Sequence, residues 1–323
     1  MGILHAGIVN ALDNCKIVSI CENDTLVKRI GGNLLRNVRF YSKTERMLKD
    51  ENLDAVFVTT PIATHLQMIE AVADAKSPKA IFVEKPLAAT YKDALRSCEL
   101  GQSAGLSTAV GFQMRYAPSF AKAKSLISGG VIGTPLAFTG YSYLAGVFSQ
   151  GRGWRFSPAQ GGALIDLGPH LIDLVCWYFG EPNVLSSRLT NVYSKAVEDE
   201  ATATLNCNGI PGEINVNWSV PGYRLQEVKV TVTGEDGTLT VSDDFVSLEI
   251  HRAKSHFPRG HHYFSKPALY EGVDYLVGNP EYCTQDKAFL LGGDVPGSLP
   301  PNFTSAVVVN KVIDEIRKVA KEG

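Results

Sequence analysis

Hydrophobic and polar positions follow two different rhythms along the chain, and the change falls near residue 120. Before it, short apolar runs rich in Val, Ile and Phe alternate with amphipathic stretches. The runs at 16–21, 55–59, 80–83 and 108–112 read as strands buried on both faces. The stretches at 26–34, 44–49, 65–75 and 92–104 carry helical periodicity. This β-α-β-α succession predicts a doubly wound parallel sheet.

The later texture is different. A helix is expected over 118–128, then a Gly129-Gly130 turn, a strand over 136–143 and a long helix over 162–179. Runs at 184–193, 201–207, 213–220, 227–233, 238–241 and 246–251 read as strands. Asn208-Gly209 and Asp236-Gly237 are hairpin signals between such runs, which makes the sheet mostly antiparallel. Residues 252–302 carry no clear period, and helical periodicity returns over 305–321.

A length of 323 residues suits about two domains. Lys plus Arg (31) nearly balance Asp plus Glu (33), so no basic face for nucleic acid and no polybasic membrane patch is expected. No window approaches the ~18 uninterrupted apolar residues of a membrane span. The opening residues lack the basic and long apolar regions of a signal peptide. Six cysteines without a C-x-x-C pair read as reduced thiols in a cytoplasmic protein.

Candidate chemistry starts at the first residue. A dinucleotide site needs a Gly-rich turn that brings phosphates to a helix N-terminus. Met1-Gly2-Ile3-Leu4-His5-Ala6 looks like the last glycine of G-x-G-x-x-G running straight into its helix, with no strand before it. The first strand of the sheet is therefore expected to be truncated, either because the coding start is set roughly 10–15 residues late or because the protein is naturally cropped and cofactor-free. Glu22 ends the strand at 16–21, about 20 residues after Gly2. An acid there can hold both ribose hydroxyls and repels a 2′-phosphate, which points to NAD rather than NADP. Thr60-Pro61 follows a buried strand, and Thr64 is placed to cap the helix starting at His65. Glu84-Lys85-Pro86 puts two charges at another strand end, where they are costly unless paired or used.

Four elements occur in order: Thr60-Pro61 with His65, Glu84-Lys85-Pro86, Gly111-Phe112-Gln113-Met114-Arg115-Tyr116, and Gly161-Gly162 followed by Asp166, Gly168 and His170. With Gly153-Trp154-Arg155, this set resembles the glucose–fructose oxidoreductase / inositol dehydrogenase (Gfo/Idh/MocA) family. The resemblance implies a dinucleotide-binding Rossmann-like domain over 1–120. It implies a substrate-binding and oligomerisation α+β domain over 121–323, with a large open sheet and a C-terminal helix free to pack back on the first domain. It implies a nicotinamide cofactor, which Glu22 narrows to NAD over NADP, and oxidation or reduction of a sugar or polyol hydroxyl. Lys85, Asp166 and His170 would form the catalytic group. Gly2, Glu22, Thr60, Pro61, His65, Glu84 and Lys85 would line the cofactor, and Gln113, Arg155 and Asp166 the substrate. A homodimer or homotetramer through the C-terminal sheet would follow.

The residues fit these roles on their own chemistry. Asp166 and His170 share a helix face at i,i+4, although Pro169 is expected to break or kink that helix. An imidazole accepts a hydroxyl proton near neutral pH, Asp166 can orient that imidazole or hold a hydroxyl, and an ammonium stabilises developing negative charge. Arg115 serves equally well as a ligand contact or an ion-pair partner, and Trp154 and Tyr116 as pocket lining or packing. His261-His262 lacks metal-ligand spacing, so no metal is expected. Two alternatives stay open: a non-catalytic cofactor- or sugar-binding regulatory protein of the same fold, and an enzyme acting on an imine or tetrapyrrole.

Overall fold

The computed structural model describes all residues except 36, 254–256, 271–279, 293–299 and 323. The first part runs α1 (Gly2–Ala11), β1 (Ser19–Cys21), α2 (Thr25–Leu34), β2 (Arg39–Tyr41), α3 (Thr44–Asp50), β3 (Ala55–Val58), α4 (His65–Asp74), β4 (Ala80–Val83), α5 (Tyr91–Ser103) and β5 (Ser107–Val110). Every strand pair in it is parallel, as the alternating pattern requires. β1 pairs with β2, and β3, β4 and β5 lie side by side with Val58, Val83 and Val110 in register. Among the described residues these two groups are not hydrogen-bonded to each other. β2 has no counterpart in the sequence reading, because three residues carry too short a pattern. The run at 16–21 pairs only over its last three residues.

Local signals account for the helix starts. Asp24 accepts from the N–H groups of Leu26 and Val27 to open α2. Thr90 accepts from the Asp93 N–H to open α5. Thr64 makes no such cap; its hydroxyl bonds the Pro61 carbonyl instead, at 2.8 Å.

The second part adds α6 (Pro118–Ser128), β6 (Pro135–Tyr143), α7 (Ala163–Phe179), β7 (Pro182–Thr190), β8 (Glu200–Cys207), β9 (Ile210–Asn217), β10 (Glu227–Gly234), β11 (Gly237–Ser242), β12 (Phe245–Ile250), β13 (Gly260–Ser265), α8 (Lys266–Leu269), α9 (Pro280–Leu291) and α10 (Phe303–Glu322). Its eight strands form one sheet in the order β13-β12-β11-β10-β6-β9-β8-β7. Only the β6–β9 pair is parallel. Asn208 (φ 53°) and Gly209 (φ 89°) make the tight turn between β8 and β9, as their sequence signals.

α7 is buried along nearly its whole length against the sheet's inner face, where Val216, Val228, Val230 and Leu239 point. Close approach needs a glycine under it: a Cβ on Gly140 would sit 2.8 Å from the Leu171 side chain. α10 packs against α5, α7 and β7, joining the two parts. The segment before it also bonds the smaller sheet's edge, with the Val110 N–H donating to the Pro301 carbonyl at 2.9 Å.

Candidate active site

β3, β4 and β5 end together, so the residues after them share one edge of the sheet. There Glu84 and Lys85 leave β4, Thr59 and Thr60 leave β3, and Gly111 leaves β5. Ligands of open α/β sheets bind at this edge. Gly2 starts α1 beside it; a Cβ on Gly2 would come 3.0 Å from Thr59 Oγ1, and no side chain caps the helix start.

Lys85 reaches from this edge to α7. Its Nζ donates to the backbone carbonyl of Asp166 at 2.8 Å. Burial lowers the Lys85 pKa, opposed by the charges of Asp166 and Glu84. Asp166 and His170 lie on the same face of α7, both buried. No hydrogen bond joins them. Asp166 instead pairs with Arg155, whose Nε lies 3.1 Å from Oδ2 outside hydrogen-bond geometry. Arg155 is half exposed and stacks over the half-exposed Trp154, 5.7 Å from its ring centre. The expectation that Asp166 orients the imidazole is therefore corrected: the two share a face without touching through hydrogen bonds.

His170 Nε2 lies 3.4 Å from the Gln113 amide nitrogen, a long contact, and its Nδ1 is buried without a partner. Burial, reinforced by the Lys85 charge, pushes the His170 pKa well below the usual histidine range. That shift favours the neutral imidazole.

Pro169 does not break α7, which runs unbroken from Ala163 to Phe179. The proline removes one N–H, the one that would have bonded the Ile165 carbonyl, while the next two carbonyls take partners from outside the helix. Asp166 takes Lys85, and Leu167 takes Ser142 Oγ and Gln226 Nε2, each at 3.2 Å.

The remaining candidates separate by their partners. Glu22 ends β1, and its Oε1 accepts the Asp24 N–H at 2.9 Å, leaving the other oxygen open. Thr60 and Pro61 are exposed on the β3–α4 loop. His65 is 1% exposed and faces backbone carbonyls on both sides: Thr60 at 2.9 Å, and Pro86 and Leu87 at 3.1 and 3.3 Å. It ties the two loops together and presents no nitrogen to a ligand, which corrects its reading as a direct cofactor contact. Arg115 makes a buried bidentate pair with Asp173, Nε to Oδ2 at 2.7 Å and Nη2 to Oδ1 at 2.5 Å, so it serves the core. His261 and His262 bond Ser247 Oγ and the Pro258 carbonyl, each at 2.8 Å.

Three residues at this edge were not singled out from sequence. Glu84 does not pair with Lys85; its carboxylate meets buried His5 from α1, and His5 meets buried Asp286 from α9. Tyr282, also on α9, stands with its ring centre 6.2 Å from that of His5. α9 falls in the stretch without a clear period, so only the spacing of His5, three after Gly2, offered a signal.

Comparison with known proteins is consistent with this layout. Residues 2–112 match the model described as an oxidoreductase family with an NAD-binding Rossmann fold. Residues 120–240 match the GFO/IDH/MocA C-terminal domain. A D-apiose dehydrogenase of Paraburkholderia graminis is 29% identical over 255 residues, 74% of this chain and 64% of that protein's length. A scyllo-inositol 2-dehydrogenase (NAD(+)) of Bacillus subtilis is 27% identical over 254 residues, 75% of this chain and 70% of that one. Levoglucosan dehydrogenase, solved with NADH and levoglucosan, superposes with a TM-score of 0.82 at 21% identity, covering 99% of this chain and 93% of that one.

Proposed function

The chain belongs to the Gfo/Idh/MocA family of oxidoreductases, and from that premise we propose that it is an NAD-dependent dehydrogenase of a sugar or polyol hydroxyl. The observation that carries the reading is the convergence of Lys85, Asp166 and His170 at the carboxyl edge of the parallel strands, with Lys85 held by a 2.8 Å bond to α7.

The residues fit a dinucleotide. The side-chain-free start of α1 at Gly2 leaves a cradle for phosphate. Thr59 borders it, with Thr60 and Pro61 next along the chain, and the open oxygen of Glu22 suits ribose hydroxyls and repels a 2′-phosphate. In this proposal residues 1–120 hold the cofactor and 121–323 hold the substrate. When bound, the nicotinamide supplies the hydride acceptor.

The protein's own groups do the rest. Neutral His170 takes the substrate hydroxyl proton at Nε2, where the hydroxyl displaces the long contact from Gln113. The Lys85 ammonium stabilises the charge that develops on that oxygen. Asp166, steadied by Arg155, accepts from a neighbouring substrate hydroxyl and so orients the substrate. In the reverse direction the imidazolium returns the proton.

The reading extends to a cytoplasmic homodimer or homotetramer formed through the outer face of the eight-stranded sheet, where Tyr141 and Tyr143 stack with centroids 4.2 Å apart. Light scattering on the full chain tests that assembly. The decisive experiment mixes the protein with NAD and a panel of sugars and polyols and follows absorbance of the reduced nicotinamide. Turnover of one or more members supports the proposal. Tight NAD binding with no turnover of any member overturns it in favour of the regulatory reading.

A further inference from the structure

The proposed chemistry leaves one buried cluster unused. His5 on α1, Glu84 at the end of β4 and Asp286 on α9 are all buried, and His5 and Asp286 lie 281 positions apart in the chain. His5 Nδ1 lies 2.8 and 3.0 Å from the two Asp286 oxygens, and Nε2 lies 2.9 Å from Glu84 Oε1. Only an imidazolium donates on both sides. Phe57 and Phe82 pack against the ring with centroids at 5.4 and 5.0 Å and bring no charge. Among the described residues the charged and titratable groups facing it are Glu84, Asp286 and Tyr282, with Lys85 next along the chain from Glu84.

The cluster reaches the site through Glu84. Its second oxygen, Oε2, accepts the Lys85 backbone N–H at 3.2 Å. Gly111 makes room for this carboxylate, since a Cβ there would sit 2.9 Å from that oxygen. One carboxylate thus joins the imidazolium to the peptide that carries the reacting ammonium.

We propose that His5 and Asp286 are positioning residues that lock Glu84, and through its backbone contact Lys85, in the geometry needed for turnover. The turnover part rests on the dehydrogenase reading, but the locking does not. A single ångström of misplacement can cost about 10²-fold in rate.

The test uses the full chain with Asp286→Asn and, separately, His5→Gln. Competitive acetylation with acetic anhydride, read by mass spectrometry, reports the accessibility of Lys85. It needs no substrate. Lys124, whose Nζ bonds the Trp177 carbonyl at 2.6 Å away from the cluster, is the internal reference. The expected result is a several-fold rise in Lys85 labelling against Lys124 in both folded variants. With an active substrate, kcat falls about 10²-fold with KM within about twofold. The alkaline limb of the Asp286→Asn profile moves to lower pH, because the imidazolium has lost a counter-charge. A variant that is less stable but keeps wild-type Lys85 labelling and kcat overturns the proposal. Raised labelling in a protein whose wild type oxidises nothing in the panel supports the lock and sinks the dehydrogenase reading alone.

Discussion

Lys85 Nζ donates to the backbone carbonyl of Asp166 across 2.8 Å, not to the Asp166 carboxylate. The contact spans the two parts of the molecule, from the end of β4 to the first turn of α7. A carbonyl holds the ammonium without neutralising it, so its charge stays available to an oxygen brought beside it.

Lys85→Met removes that charge while keeping most of the side chain's length. Turnover is expected to fall by about 10²–10³-fold, the scale seen when one donor to a developing oxyanion is lost. NAD affinity, followed by fluorescence titration, should change little. An unchanged kcat would remove Lys85 from the chemistry.

His170→Ala should lower kcat by about 10²–10⁴-fold, the usual worth of general base catalysis. The wild-type pH profile carries a sharper expectation. Burial and the Lys85 charge depress the His170 pKa, so the basic form persists well below the usual histidine range. The kcat of the wild type should therefore stay flat as pH falls through 6.5, the unperturbed histidine value. A half-maximal point at or above that pH would contradict the buried, neutral imidazole.

The pH dependence of stability follows from His5. Hydrogen bonds and charge from Asp286 and Glu84 outweigh the opposing effect of burial and raise its pKa from 6.5 to about 9. A raised folded-state pKa stabilises the protein fully below 6.5, and that stabilisation is lost as pH climbs through about 9. The shift corresponds to at most about 3 kcal/mol, because burial raises the Asp286 pKa and works against it. Urea midpoints measured from pH 6 to 10 should fall across that window, and His5→Gln should flatten the fall. A wild-type midpoint that rises across the window would reverse the sign.

How much of this was legible in the sequence depended on range. α6 and α7 emerged nearly whole because periodicity, Pro118 and the flanking glycines agree within a few residues. Lys85, Asp166 and His170 were legible because each sits in a local motif. The His5–Asp286 contact was not, since it joins residues 281 apart through a helix with little apolar periodicity in a Gly- and Pro-rich stretch. Pro169 misled for a related reason: α7 runs on through it, buried along nearly its whole length by a sheet that only the fold brings near.

Arg115 gives the sharpest separation of a structural from a ligand-binding arginine. It lies in the motif run with Gln113, yet its guanidinium is spent on Asp173, which is 1% exposed, and lies over Trp177 at 5.6 Å. Arg115→Met leaves a buried carboxylate with no counter-charge, and breaking such a pair from one side costs about 3–5 kcal/mol. The urea midpoint should fall accordingly, while any variant protein that remains folded keeps its KM for substrate. Adding Asp173→Leu removes the stranded charge and should recover most of the loss, since an apolar replacement of both partners is often neutral. If Arg115→Met instead raised KM at unchanged stability, the arginine would belong to the ligand and not to the core.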